Sequence, residues 1–287
     1  MKGTVKMKID DNWYKLYEKL YGTNFNRLMT IGKIDEGYAN YNIENLEDIK
    51  EQVEDKFPNN ELYISLYDYD SDEKVITWNQ TTLEKYEQHA VKNCLLFRFR
   101  QNIDIIREEV VGLEDIERFM FIRRSINLGS NKDIVEESKK TFSFLKEKFD
   151  IRPIAMFNGF NEILLFIYTE NLNLKNGSLS CYNFYKYVGK KLNLKTLVYE
   201  NIEPYAQVVP LPGTQNNYSR LYTQLFYPEY SYEEIMLNSQ EKYLNTEHFN
   251  DFANSEKIEK FMYKIDEILS KNKDKKIDFD SVIEKIA

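Results

Sequence analysis

Apolar and polar positions along the chain switch between helical and strand periods, and the switches mark out its elements. Trp13, Leu16, Tyr17 and Leu20 fall on one face of a helix predicted over 10–21. Leu46, Ile49 and Val53 predict a second helix over 45–57, stopped by Pro58-Asn59-Asn60. Strands are expected at 62–67 and 75–78 around a polar turn at 68–74, then at 95–99. A polar stretch with helical character near 103–109 follows. Residues 119–166 carry the strongest pattern. Phe119 to Ile122 read as a strand, and Leu128-Gly129-Ser130-Asn131 as a turn that caps the next helix. Val135, Phe142 and Leu145 give that helix its apolar face, with Glu136, Glu137, Lys139 and Lys140 toward water. Pro153 restarts an extended chain, and Asn158-Gly159 splits two apolar runs into a hairpin. The order strand, helix, hairpin implies a crossover in a mixed sheet.

Beyond this unit, 182–192 reads as a helix burying Phe184, Tyr185 and Val188, and 205–211 and 221–226 read as strands. Between those strands lies a rigid loop, Pro210 to Asn217. Helices are expected at 232–238, after Ser231, and at 254–269, before a solvated charge run at 271–276. No internal repeat or flexible linker appears. The expected divisions are an N-terminal α/β half (1–110), a second half (111–235) and a helical tail (236–287).

Composition narrows the class. The chain has 287 residues, 42% apolar and 15% aromatic, enough for a sizeable packed core. No apolar run approaches the roughly 20 residues that cross a bilayer, so no membrane partner is expected. Met1-Lys2-Gly3-Thr4-Val5-Lys6 is followed by no apolar stretch of a secretory signal, so a cytoplasmic location is expected. Cys94 and Cys181 lie outside any paired motif and read as buried thiols. A net charge of −8 weighs against broad electrostatic binding to nucleic acid, though a local basic patch stays open.

Three stretches together resemble the archaeo-eukaryotic primase (primase-polymerase) superfamily. Phe121-Ile122-Arg123-Arg124-Ser125, before the long helix, occupies the place of an apolar strand ending in Asp-x-Asp. Pro153 to Ile163, containing Asn158-Gly159-Phe160-Asn161-Glu162, occupies the slot of a Ser-Gly-x-Gly-x-His hairpin. Leu194-Lys195-Thr196-Leu197 precedes Val208-Val209-Pro210-Leu211-Pro212-Gly213-Thr214, similar to the family's third motif and its Pro-Gly-Thr/Ser loop. The resemblance spans about 60–235. It implies an α+β fold: a mixed sheet with an RRM-like primase-type core, an N-terminal α/β half and a C-terminal helical tail. Family members use three carboxylates to hold two divalent metals. Here those places fall on Ile122, Arg124 and near Lys195, and the motif histidine falls near Ile163; His89 and His248 lie elsewhere. A guanidinium repels a cation, so the resemblance implies a lost active site, with no catalytic residues, metal or cofactor.

The candidate phosphate-binding set is Arg123, Arg124, Lys195, Asn158, Gly159, Gly213, Thr214 and Arg220, with Lys186, Lys190 and Lys191 as possible backbone contacts. Arginine suits phosphate. The plainer readings are an ion pair for Arg124, turn glycines at 159 and 213, and ordinary surface lysines. Asp68-Tyr69-Asp70-Ser71-Asp72 could ligate a hard cation, but a solvated turn accounts for it better, since the Gly and distal Glu of an EF-hand are missing. Tyr218, Tyr222 and Tyr227 flank the Pro-Gly-Thr loop and are candidates for base stacking. No nucleophile triad, zinc set, P-loop or dinucleotide fingerprint is present. The expected function is an inactive primase-like protein in replication of a mobile element or virus. It would bind single-stranded DNA or RNA, or a replication protein such as a helicase or an active primase. The alternatives are a divergent active primase or nucleotidyltransferase drawing metal from Asp68, Asp70 or other acids, and a protein-interaction module.

Overall fold

A computed structural model describes residues 11–33, 37–56, 60–69, 90–91, 93–102, 112–169, 172–199, 208–241 and 256–272. The expected strand at 75–78, the helical stretch at 103–109, Asp70, Asp72, His89 and His248 lie outside these residues.

The fold is α+β, built on two four-stranded sheets. The first contains β1 (Asn24–Lys33), β2 (Gly37–Asn45), β3 (Glu61–Ser65) and β9 (Val208–Pro210), in the order β2-β1-β3-β9. Helix α1 (Asp11–Tyr21) lays Trp13, Leu16, Tyr17 and Leu20 into the core beside Ile43, Leu62 and Ile64. Helix α2 (Leu46–Glu51) begins with a capping box. Asn45 Oδ1 accepts from Asp48 N at 3.1 Å, and Asp48 Oδ2 accepts from Asn45 N at 3.3 Å. A π-helical turn, Gln52–Lys56, continues it and buries Val53.

The second sheet runs β10-β7-β8-β6, from β6 (Cys94–Arg100), β7 (Ile154–Phe157), β8 (Glu162–Tyr168) and β10 (Gln224–Phe226). Both of its faces are buried, each by alternate residues. Leu95, Phe97, Phe99, Ala155, Phe157, Ile163, Leu165 and Ile167 pack against helices. Cys94, Leu96, Ile154, Met156, Leu164 and Phe166 pack against the first sheet and α1. The helical side holds α3 (Asp115–Asn127), α4 (Lys132–Phe149), α5 (Gly177–Leu192), α6 (Tyr232–Asn238) and α7 (Glu256–Lys271). A short ladder joins β4 (Asp68–Tyr69) to β5 (Ala90–Val91).

Strand β6, helix α4, the β7–β8 hairpin and α5 form a split β-α-β unit, with β8 between β6 and β7. A bridge between Leu197 and Phe99 returns the chain to the free edge of β6. This is the RRM-like arrangement expected, but its first strand is β6.

Two expectations change. Residues 119–122 are not a strand; they lie within α3. Ile122 and Ile126, four apart, are buried, while Ile116 is 72% and Met120 63% exposed, so the helical period governs here. The sheets are antiparallel at every described pairing, not mixed. Strand β6, before residue 110, joins the second sheet, and β9, after it, joins the first. Ile258, Phe261, Met262, Ile265 and Leu269 complete the helical core, and Asp266 accepts from Asn176 N at 2.7 Å and Lys175 N at 2.9 Å at the start of α5.

Candidate functional site

The two sheets meet at a polar junction where β3 and β8 begin and β6 ends. Arg98 and Arg100, two apart on β6, share the face of Cys94 and Leu96 and so point toward the first sheet. Arg98 Nη2 donates to the Val208 carbonyl of β9 at 3.4 Å. Arg100 stands opposite Glu162 in the ladder and donates from Nε to Glu162 Oε1 at 2.5 Å. Its side chain is 41% exposed, so this pair opens to solvent.

Glu61, the first residue of β3, is buried. Asn216 Nδ2 donates to it at 2.7 Å and Asn217 N at 3.3 Å. Burial pushes the Glu61 carboxyl above its ordinary range; hydrogen bonds from Tyr63, Asn217 and Asn216 draw it back, and the Glu162 charge pushes it up again. Glu61, Glu162 and Arg100 therefore stand at one end of the interface, while Arg98 reaches Val208, which pairs with Ser65 at the other end of β3.

The β7–β8 turn is rigid because Asn158 Oδ1 accepts from three backbone N–H groups, those of Phe160 (2.9 Å), Asn161 (3.0 Å) and Glu162 (2.9 Å). Gly159 has φ +80°, and a Cβ there would stand 2.7 Å from the Leu221 carbonyl. Gln101 N donates to the Asn161 carbonyl at 2.9 Å, tying the end of β6 to the turn. On the outer edge of β6, buried Glu137 of α4 accepts from Lys195 N, Thr196 N and the Thr196 hydroxyl, the last at 2.7 Å. The strip so fixed lies along β6, with Arg100 N donating to the Thr196 carbonyl at 2.9 Å and Val198 N to the Arg98 carbonyl at 2.8 Å.

Of the residues singled out from sequence, the 158–159 turn and the 213–214 loop are joined through Thr223, whose N donates to the Thr214 carbonyl at 2.9 Å and whose hydroxyl donates to the Asn158 carbonyl at 3.4 Å, whereas Arg123 and Arg124 belong to α3. Arg123 and Arg124 ride on α3, on the helical side of the second sheet; Arg123 lies over the Phe119 ring at 5.6 Å and Arg124 is exposed. Lys195 is exposed, and its backbone, not its ammonium, is what Glu137 holds. Gly213 and Thr214 are buried, the Thr214 hydroxyl donating to the Leu211 carbonyl at 2.8 Å. Asn158 and Gly159 build the turn beside the junction. Arg220 is exposed with φ +57°. Lys186 lies 6.0 Å from the Tyr182 ring centroid, and Lys190 and Lys191 are exposed on α5. Tyr218 stacks on Phe160, Tyr227 packs edge-on against Tyr230, and Tyr222 is half-buried.

Asp68 does not stand as a solvated ligand. Its carboxylate lies 3.0 Å from the guanidinium of Arg27, a buried residue that also donates to the Ser65 carbonyl at 2.7 Å. Among the described residues no group of three His, Cys, Asp or Glu side chains is placed to hold a metal ion, and no helix is long and apolar enough to cross a membrane. Cys94 and Cys181 are buried and form no disulfide.

Sequence reasoning missed Arg98, Arg100, Glu162, Glu61 and Glu137. The signal for the arginines was present: in Leu96-Phe97-Arg98-Phe99-Arg100 the cations alternate with rings, which places both on one face of a strand.

No known family profile matches the chain, and no curated protein does. Among solved structures, the polymerase domain of Mycobacterium tuberculosis ligase D in complex with DNA is similar with a TM-score of 0.43 and 7% identity, over 79% of this chain and 86% of that one. The AEP domain of the cyanophage S-2L primase-polymerase is similar with a TM-score of 0.40 and 12% identity, over 81% of this chain and 98% of that one.

Proposed function

We propose that this chain is a primase-like protein that holds single-stranded nucleic acid at the junction between its sheets, without two-metal nucleotidyl transfer. The observation that carries the reading is the pair Arg98 and Arg100. In the superfamily that the sequence resembles, an apolar strand ending in Asp-x-Asp precedes a long helix and a hairpin. With 119–122 helical, the strand in that position is β6, and its inward pair at the same spacing is Arg98-Phe99-Arg100. Two guanidinium groups repel divalent cations and suit phosphate oxygens. Glu162 neutralises Arg100 until a phosphate displaces it. The setting, replication of a plasmid, virus or integrated element, follows from the resemblance.

The test pairs two assays on the full chain. Binding of a labelled oligothymidylate should weaken with salt, and Arg98→Ala with Arg100→Ala should lower it at least tenfold. A primer-synthesis assay with Mn²⁺ and nucleotides should give no product. Metal-dependent incorporation, or binding unchanged by both substitutions, overturns the reading.

A second reading, a protein-interaction module, is favoured by Ile116 and Met120, exposed four apart on α3. Capture of a helicase or an active primase that is lost on Met120→Glu, with no oligonucleotide binding, would favour it.

A further inference from the structure

Tyr218 presents one aromatic face to solvent on a rigid mount. It is 46% exposed, and its other face stacks on Phe160, with centroids 5.7 Å apart and planes at 27°. Phe160 is itself buried at the tip of the β7–β8 turn, where Asn131 Nδ2 donates to its carbonyl at 2.5 Å. The loop carrying Tyr218 is fixed as firmly. Asn216 Oδ1 accepts from Tyr218 N at 3.0 Å and Ser219 N at 3.1 Å, and the Ser219 hydroxyl donates to the Gly159 carbonyl. Asn216 is anchored in turn on buried Glu61. The ring is thus held in place before any ligand arrives, and little side-chain freedom remains to be lost on stacking.

Polar groups and one arginine follow it closely in the chain. Arg220, two residues on, is exposed and held at φ +57°, a backbone region that disfavours any residue with a Cβ. Residues 160–162 link the platform to the arginine pair: Phe160 backs Tyr218, Asn161 bonds to Gln101, and Glu162 bonds to Arg100. A ligand that offers a flat π face one step from a phosphate matches this layout, and an unpaired nucleotide is such a ligand.

We infer that Tyr218 is a stacking platform for one unpaired base, next to a phosphate held by Arg100 or Arg220. The inference rests on the function proposed above and adds to it a preference for bases that are free of a duplex. A sequence-tolerant preference is expected, since every base has a π face.

The experiment compares a labelled oligothymidylate with an abasic oligomer of the same length and charge. The wild-type chain should bind the first more tightly. Tyr218→Ala should weaken oligothymidylate binding by roughly 5- to 150-fold, the range for loss of one base–aromatic stack, and leave the abasic probe unchanged. Tyr218→Phe should keep wild-type affinity. Equal loss on both probes, or no loss on either, overturns the platform. If Arg98→Ala with Arg100→Ala lowers binding to both probes while Tyr218→Ala lowers neither, the platform falls and the junction reading stands. If the wild-type chain binds neither probe, both fall.

Discussion

Gly213 lies flat against the indole of Trp13: a Cβ at 213 would meet Trp13 Cη2 at 2.4 Å, and the residue sits at φ +82°. The neighbours of Gly213 turn inward with it. The Tyr17 hydroxyl donates to the Pro212 carbonyl at 2.6 Å, and Leu211 N donates to the Leu62 carbonyl at 2.7 Å. The Leu-Pro-Gly-Thr loop is therefore the seat of α1. Gly213→Ala should cost about 2–4 kcal/mol, from a strained backbone and an overpacked ring together. A urea melt checks this; a midpoint equal to wild type would show that α1 does not depend on the seat.

Glu61 gives stability a pH dependence of known sign. Burial raises its carboxyl above the ordinary 4.5 in the folded chain. A raised folded value means that its favourable contribution is full below the unfolded value and is lost as pH rises through the folded one. Acidifying from neutrality toward pH 4.5 should therefore stabilise the wild type relative to Glu61→Gln. Thermal melts of both chains across that window measure the difference, and a constant gap would contradict it.

Removal of Glu137 should loosen the strip beside β6. Glu137→Ala leaves the N–H groups of Lys195 and Thr196 without their acceptor. The expected loss is about 1–3 kcal/mol, because a carboxylate acceptor disappears from partly buried donors. Faster hydrogen exchange at Thr196, with the β1–β2 amides unchanged, would locate the effect.

Cys94 should resist alkylation in the folded chain. Burial pushes its thiol up to about 12, while the nearby Arg27 charge pulls the other way. The reactive thiolate is then scarce at pH 8. Iodoacetamide should label Cys94 only after denaturant is added, and prompt labelling of the native protein would refute this.

Much of the fold was legible because its elements follow one period for long enough. Trp13, Leu16, Tyr17 and Leu20 announced α1, and Val135, Phe142 and Leu145 announced α4. Pro153 and Asn158-Gly159 placed the β7–β8 hairpin within a residue or two. The four-residue run at 119–122 misled because aromatic and apolar residues suit strand and helix alike over so short a window. The wider window held the answer: Ile122 and Ile126 share a helical face, and Glu117 reaches back to Glu114 N at 3.4 Å. That single misreading put Arg123 and Arg124 at the end of a strand, whereas they ride on a helix. Glu61 and Glu137 could not have been found by local pattern, since their partners lie 155 and 58 residues away.

The placing of β9 has a consequence for how the protein is made. A ribosome delivers β1, β2 and β3 early, but the outer edge of β3 stays bare until residues 208–210 emerge, and α1 has no seat until Gly213 follows. For most of its synthesis the nascent chain thus carries an open strand edge that a neighbouring chain could pair with. Fragments cut before residue 208 should aggregate, and the N-terminal sheet should become protected against protease only when translation has passed its missing strand.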